Sequence, residues 1–173
     1  MKKLCILLLF ALLLTGCGGK ETRETISDVY DVPTVAVMQK LAIQLPGDMS
    51  VPVMESQTAG QLYLCDDYWV SVQTVEGGDL AQTVYSITGM QKDKLDILQS
   101  RQGDVKRYQW VWSSNSEDGI QVGRACVLDD GAYHYIVTAQ AAEAVAGSLQ
   151  AQWQEIFASI HLTAEKEPIN TGS

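Results

Sequence analysis

Apolar and polar positions alternate most regularly between residues 105 and 139, and that stretch predicts three consecutive strands. Val105 to Ser113 puts Tyr108, Trp110 and Trp112 on one face. Ile120 to Leu128 puts Val122, Cys126 and Leu128 on one face, and Ala132 to Ala139 does the same with Tyr133, Tyr135 and Val137. The connections are Asn115 to Gly119 and Asp129-Asp130-Gly131. Their Asp-Gly steps supply the positive φ that tight hairpins need, so the three strands form an antiparallel meander.

Upstream, Leu41 to Leu45 alternates and ends at Pro46-Gly47, which predicts a strand and a turn. Val51 to Met54 reads as a short edge strand, because Pro52 cannot donate to a ladder. Gln61 to Cys65 and Tyr68 to Val75 read as a hairpin closed by Asp66-Asp67. Tyr68, Val70 and Val72 lie on one side of its second strand, and Trp69, Ser71 and Gln73 on the other. After Gly77-Gly78, Asp79 is an N-cap for a short helix through Tyr85, and Lys92 to Gln99 predicts a second helical stretch ended by Gly103. Val145, Leu149, Trp153, Ile156 and Ile160 recur at helical spacing, which predicts one long helix from about Ala141 to Ala158 packed on the sheet. Ser159 to Leu162 then reads as a short terminal strand. The fold class expected is α+β, an antiparallel sheet with flanking helices.

A different pattern rules the N-terminus. Met1-Lys2-Lys3 precedes an apolar run from Leu4 to Leu14, too short to cross a bilayer comfortably. It closes with Leu14-Thr15-Gly16-Cys17, which resembles the lipobox of bacterial lipoproteins. The resemblance implies cleavage between Gly16 and Cys17, diacylglycerol and further acylation (palmitate among the acyl chains) on Cys17, and a mature protein outside the cytoplasmic membrane. Two or three acyl chains hold a protein on a membrane stably, where one alone is marginal. Cys5 lies in the removed segment. Gly18 is not the aspartate that commonly keeps lipoproteins in an inner membrane, so in a two-membrane cell the outer membrane is an open alternative.

Gly18 to Val32 is small, polar and charged, the composition of a tether. From Cys17 it reaches at most about 50 Å at roughly 3.3 Å per residue. The expected organisation is therefore a signal peptide over 1–16, a tether over 17–32, one α+β domain over 33–163 and a disordered polar tail over 164–173.

The formal charge is −9, and loss of Lys2 and Lys3 with the signal takes it to −11. That balance argues against nucleic acid and against electrostatic docking on anionic lipid. Cys65 and Cys126 remain beside Cys17. An even pair in an exported protein fits a disulfide or two small buried side chains, and both readings stand.

The order of elements carries a second resemblance: an early strand ending in Leu45-Pro46-Gly47, a hairpin, a helical insert, three strands and a helix closing with Ile156 to Leu162. This is similar to the PsbP-like and Mog-like α/β/α sandwich domains, several of which are small bacterial lipoproteins. The similarity covers roughly Ala36 to Leu162. It implies a binding or assembly role, as for photosystem accessory subunits or partners of a small GTPase, and brings no catalytic residues.

No catalytic constellation emerges from the residues themselves. His134 and His161 stand alone without metal-ligand spacing, and each reads as a surface or rim histidine. Ser148 lacks the second glycine of a nucleophile elbow. Gly77-Gly78 lacks the Lys-Ser/Thr ending of a phosphate loop. Asp66-Asp67, Glu117-Asp118 and Asp129-Asp130 sit at turns. The last two pairs would matter for calcium only if they shared one end of the sheet, and turn chemistry alone explains all three. Tyr108, Trp110 and Trp112 read as core beneath the Trp153 helix, although if exposed they would mark a partner surface. The function expected is a lipid-anchored, non-enzymatic binding or accessory domain with no cofactor and no metal. Its partners would be the membrane, through the anchor, and a protein. A small-molecule carrier with a cavity among Tyr108, Trp110 and Trp153, or a carboxylate-dependent hydrolase, are the alternatives.

Overall fold

The computed structural model describes residues 37–49, 51–56 and 60–163. The expected signal, anchor, tether and tail lie outside these residues. The folded unit is built on a seven-stranded sheet in the order β2-β3-β4-β8-β7-β6-β5, with every neighbouring pair antiparallel. Its strands are β2 (Met54–Ser56), β3 (Gly60–Leu64), β4 (Tyr68–Glu76), β5 (Leu98–Gln102), β6 (Val105–Ser116), β7 (Gly119–Asp129) and β8 (Tyr133–Ala142). A separate two-stranded ribbon pairs β1 (Lys40–Ala42) with β9 (His161–Thr163). Among the described residues the α-helices are α1 (Leu80–Thr88), α2 (Glu143–Ala146) and α3 (Gln150–Ser159).

The meander forms as the alternation requires, and each face of the sheet buries its own cluster. On one face Tyr68, Val70, Cys126, Leu128, Tyr135 and Val137 meet Leu149, Trp153, Ile156, Phe157 and Ile160 from the C-terminal helices. The ribbon seals the same face with Leu41 and Leu162. On the other face Tyr108, Trp110, Trp112, Val127 and Ile136 meet Val84 of α1, with Leu80, Ile87, Leu95 and Ile97 around it. The three meander aromatics are thus core, but beneath α1 and not beneath the Trp153 helix. A cavity among Tyr108, Trp110 and Trp153 is ruled out, since the sheet separates Trp153 from the other two. Gly123 permits the tight layer on the α1 side, because Trp112 lies flat across it. A Cβ there would come within 2.3 Å of the indole ring.

Helix α1 starts where expected. The Asp79 carboxylate accepts from the Ala81 N–H at 2.9 Å. It runs past Tyr85 to Thr88, where left-handed Gly89 donates its N–H to the Tyr85 carbonyl at 2.8 Å.

Two helical expectations fail, both because strand ladders claim the backbone. The stretch Lys92 to Gln99 is a single 3-10 turn, Lys92–Lys94, followed by β5, which pairs with β6 from Leu98↔Gln109 to Gln102↔Val105. Gly103 has φ 59 and opens the two-residue hairpin turn, so it does not end a helix. The single helix from Ala141 to Ala158 is also not formed. Ala141 and Ala142 stay in β8, paired with Val122 and Gln121. Helix α2 then stops after one turn: both the N–H and the hydroxyl of Ser148 bond the Val145 carbonyl, at 3.0 and 2.7 Å, diverting it from continued helical bonding. The apolar helical face survives the break, since Leu149, Trp153, Ile156 and Ile160 are all buried.

The early strands are shorter than their sequence pattern. Of Leu41 to Leu45 only Leu41 and Ala42 join a ladder, because β9 offers three partners. The edge strand sits at Met54–Ser56, and Val53 contributes one bond to the Leu62 carbonyl at 2.8 Å.

Candidate functional site

Helix α1 and the segment after it cover only β6 to β8 on their side of the sheet. The same face of β2, β3 and β4 has no helix above it. Strand alternation directs Met54, Leu62, Leu64 and Trp69 there, and register aligns them in two rows. One row is Met54↔Leu62↔Ser71↔Thr138, and the other is Leu64↔Trp69↔Gln140. Met54 is 58% exposed and Leu64 50%, whereas the opposite face of the same strands is buried under Tyr63, Tyr68 and Val70. The result is an open groove of 390 Å³ with an apolar floor and with Ser71 and Gln73 at its edge. Ser71 is tied to Thr138 by a 2.6 Å hydroxyl pair, which marks the boundary between open and covered sheet. Among the described residues no lysine, arginine, aspartate or glutamate lines the groove.

The residues singled out from sequence do not converge on this groove. Cys17 lies outside the described residues. Cys65 and Cys126 are both free thiols. Cys65 follows β3 and Cys126 sits in β7, with β4 and β8 between. Three strand spacings of about 4.8 Å separate them, near 14 Å, while a disulfide needs Cα atoms within about 7 Å. The pairing is therefore excluded by topology. The Cys65 Sγ lies 3.3 Å from the Asp48 carboxylate, and burial, then that hydrogen bond, pushes its pKa up. Burial pushes the Cys126 thiol up to about 11. Neither is an activated nucleophile.

His134 is not at the rim. It is 1% exposed, with Nδ1 2.8 Å from the Thr83 hydroxyl, and it joins α1 to β8. This hydroxyl–imidazole pair is closed off from solvent and ties the helix to the sheet. His161 is exposed, and its Nδ1 lies 2.7 Å from the Ser159 carbonyl. Glu117-Asp118 and Asp129-Asp130 lie at opposite ends of the eleven-residue β7 and cannot share a cation. Among the described residues no group of three His, Cys, Asp or Glu side chains is placed to hold a metal.

Asp130 has a structural task. Its carboxylate accepts from the N–H groups of Ala132 and Tyr133 at 2.9 and 2.8 Å, from the Tyr135 hydroxyl at 2.8 Å and from the Gln39 amide at 3.3 Å. Burial alone would raise its pKa, but these donors together hold it below the ordinary value. Tyr135 in turn accepts the Gln39 backbone N–H at 2.8 Å, which fastens the chain entering β1 to the β7–β8 turn. Burial pushes the Tyr135 hydroxyl up to about 12.

The open groove was half visible in the sequence. Alternation puts Trp69, Ser71 and Gln73 on the side of β4 away from Tyr68, but nothing local says that α1 stops short of them.

No family model and no curated protein matches the chain. Seven solved chains match it in fold, LpqN and CyanoP among them. LpqN of Mycobacterium tuberculosis, described as involved in cell envelope biogenesis, aligns over 73% of this chain and 84% of its own, at 14% identity and a TM-score of 0.50. The cyanobacterial PsbP, CyanoP, of Synechocystis sp. PCC 6803 aligns over 75% of this chain and 96% of its own, at 14% identity and a TM-score of 0.52. At such identity the likeness is one of fold, and the fold is the PsbP-like α+β sandwich.

Proposed function

We propose that this chain is a lipid-anchored, extracytoplasmic accessory domain that docks a protein partner on the open face of β2, β3 and β4. One observation carries the reading: an apolar sheet face left bare beside a covered one. Exposed apolar surface of this kind, framed by neutral polar groups, is a usual mark of a protein contact. The groove has no charged lining, and the mature side chains sum to −11, so an anionic membrane surface is a poor occupant and an apolar protein patch a good one. The Leu14-Thr15-Gly16-Cys17 pattern supports the anchor, and the tether composition supports reach away from the bilayer. The fold's occurrence in a protein of cell envelope biogenesis fits the location.

The test is quantitative co-purification from the organism's own membranes. Leu64→Asp puts a charge into the groove at a half-exposed position that the fold does not need. It should leave the melting curve unchanged and lose a partner that the wild type retains. The same partner retained at equal yield would refute the docking face. Cys17→Ala should move the protein to the soluble fraction, and retention in the membrane would refute the anchor.

A further inference from the structure

A second groove lies on the other face of the sheet. Strands β6 and β7 form its floor, α2 and α3 its walls, and it measures 500 Å³. That size falls within the roughly 300–1,000 Å³ of small-molecule sites. The register brings its floor together: Val111 stands directly opposite Arg124, and Val122 is two residues from Arg124 on the same strand face. Trp153 of α3 lines the same groove. Val122 and Trp153 belong to the core of this face, and Val111 is 58% exposed at its margin.

Two donors on this groove lack a good acceptor. Trp153 is 4% exposed, and its Nε1–H has no partner among the described residues, where a buried donor is normally paired. Arg124 is half-buried, and burial, with the charge of Arg107 in addition, lowers its pKa. The ion pairs among the described residues are Lys94–Asp93 and Lys106–Asp129, so Arg124 has no carboxylate. It stacks 4.8 Å from the centroid of the Phe157 ring, which uses the face of the guanidinium and leaves its in-plane N–H groups open. Its side-chain acceptor is Gln109 Oε1 at 3.5 Å, a long contact. Turned over, that amide gives its oxygen to Arg107 and leaves Arg124 with none. Arg107 is spent on the Phe157 and Ile160 carbonyls and is no part of this site.

The walls suit a peptide unit. Gln150 and Gln154, one turn apart on α3, bring amides that both donate and accept. Leu149 gives α3 no side-chain cap, so the first N–H groups of that helix add partial positive charge where Gly147 and Gln150 line the groove. Glu143, exposed on the α2 side, disfavours a second negative charge on the occupant.

We propose that this groove takes the free carboxyl end of a peptide whose last side chain is apolar. The carboxylate meets Arg124 and the Trp153 Nε1–H, the last amide lies against Gln150 and Gln154, and the side chain rests on Val111 and Val122. Charge complementarity selects the carboxylate, and the valines select the side chain. The groove is on the opposite sheet face from the open surface of β2 to β4, so either site can fail without the other.

The experiment is calorimetric titration of the acetylated tripeptide alanyl-alanyl-leucine into the chain begun at residue 17 and carrying Cys17→Ser, which contains the whole folded unit 36–173. Saturable 1:1 binding is expected. The same peptide with a carboxamide end, or with glycine as its last residue, should bind at least about tenfold more weakly. Val111→Glu alters an exposed position and sets a carboxylate opposite Arg124. It should keep the melting curve and weaken the tripeptide about tenfold or more. Glu143→Gln should bind at least as tightly as the wild type. By nuclear magnetic resonance, the Trp153 indole N–H signal, identified by its loss in Trp153→Phe, should move as the peptide is added. Absent saturable binding, equal binding of the carboxamide or the glycine-ended peptide, an undiminished Val111→Glu variant, weaker binding by Glu143→Gln, or a Trp153 signal that stays in place would each overturn the proposal.

Discussion

Gly123 gives the most direct check on how the second core is built. Its backbone lies outside the positive-φ region, so alanine fits the strand conformation. The obstacle is the neighbour: an added Cβ would stand 2.3 Å from Trp112 Cζ2 and 2.5 Å from two further ring atoms. Trp112 is 5% exposed and packed within the α1-side cluster, so the ring has no free direction to retreat. Forcing extra volume into such a core costs about 1–3 kcal/mol. Replacing glycine by alanine in a strand returns roughly 0.5–1 kcal/mol of backbone entropy. Taking the middle of each range, the expected balance for Gly123→Ala is a net loss of about 1 kcal/mol. In a Trp112→Leu background the clash is gone while the entropy gain remains, so the same substitution should become neutral or stabilising. Urea unfolding followed by circular dichroism measures both, provided the denaturant slope is unchanged. If Gly123→Ala is harmless in the wild type, or equally harmful in both backgrounds, then Trp112 does not lie across Gly123 and the packing described is wrong.

The other core is tested by Trp153→Ala, which should cost about 3–5 kcal/mol in the same assay, and an unchanged midpoint would remove α3 from the core. The chain begun at residue 17 and carrying Cys17→Ser should show two free thiols when denatured without reductant, and in the folded state Cys65 should react far ahead of the fully buried Cys126; a disulfide, or equal rates, would contradict the strand order. Asp130 has a folded-state pKa below its unfolded one, so its contribution is complete above the unfolded value and is lost as pH falls through the folded value. Acid titration of stability should therefore show a shallower fall for Asp130→Asn than for wild type below about pH 4, and parallel curves would refute the role of its four donors.

The meander was legible because period-two alternation and Asp-Gly turns are local signals, and Tyr108, Trp110 and Trp112 share a face for that reason alone. Which helix covers them was not legible. Both candidate helices carry apolar faces, and the choice depends on the hand of the connection after β4. The end of β8 was misread because Ala141 and Ala142 are good helix formers whose backbone is taken by β7, a partner distant in sequence. The same holds for Leu98, whose strand exists only because β6 offers an edge. His134 read as a rim residue because a lone histidine gives no sign that Thr83, fifty-one residues earlier, will meet its ring.

The proposed docking site is the bare face of β2 to β4. It is tested most directly by placing a photo-crosslinking amino acid at Leu64, and separately at Gln99 on the opposite edge of the sheet, in the anchored protein in its own cells. One discrete adduct is expected from Leu64, absent at Gln99 and lost when Met54→Asp is added. Equal adducts from both positions, or an adduct at Leu64 that survives Met54→Asp, would contradict it.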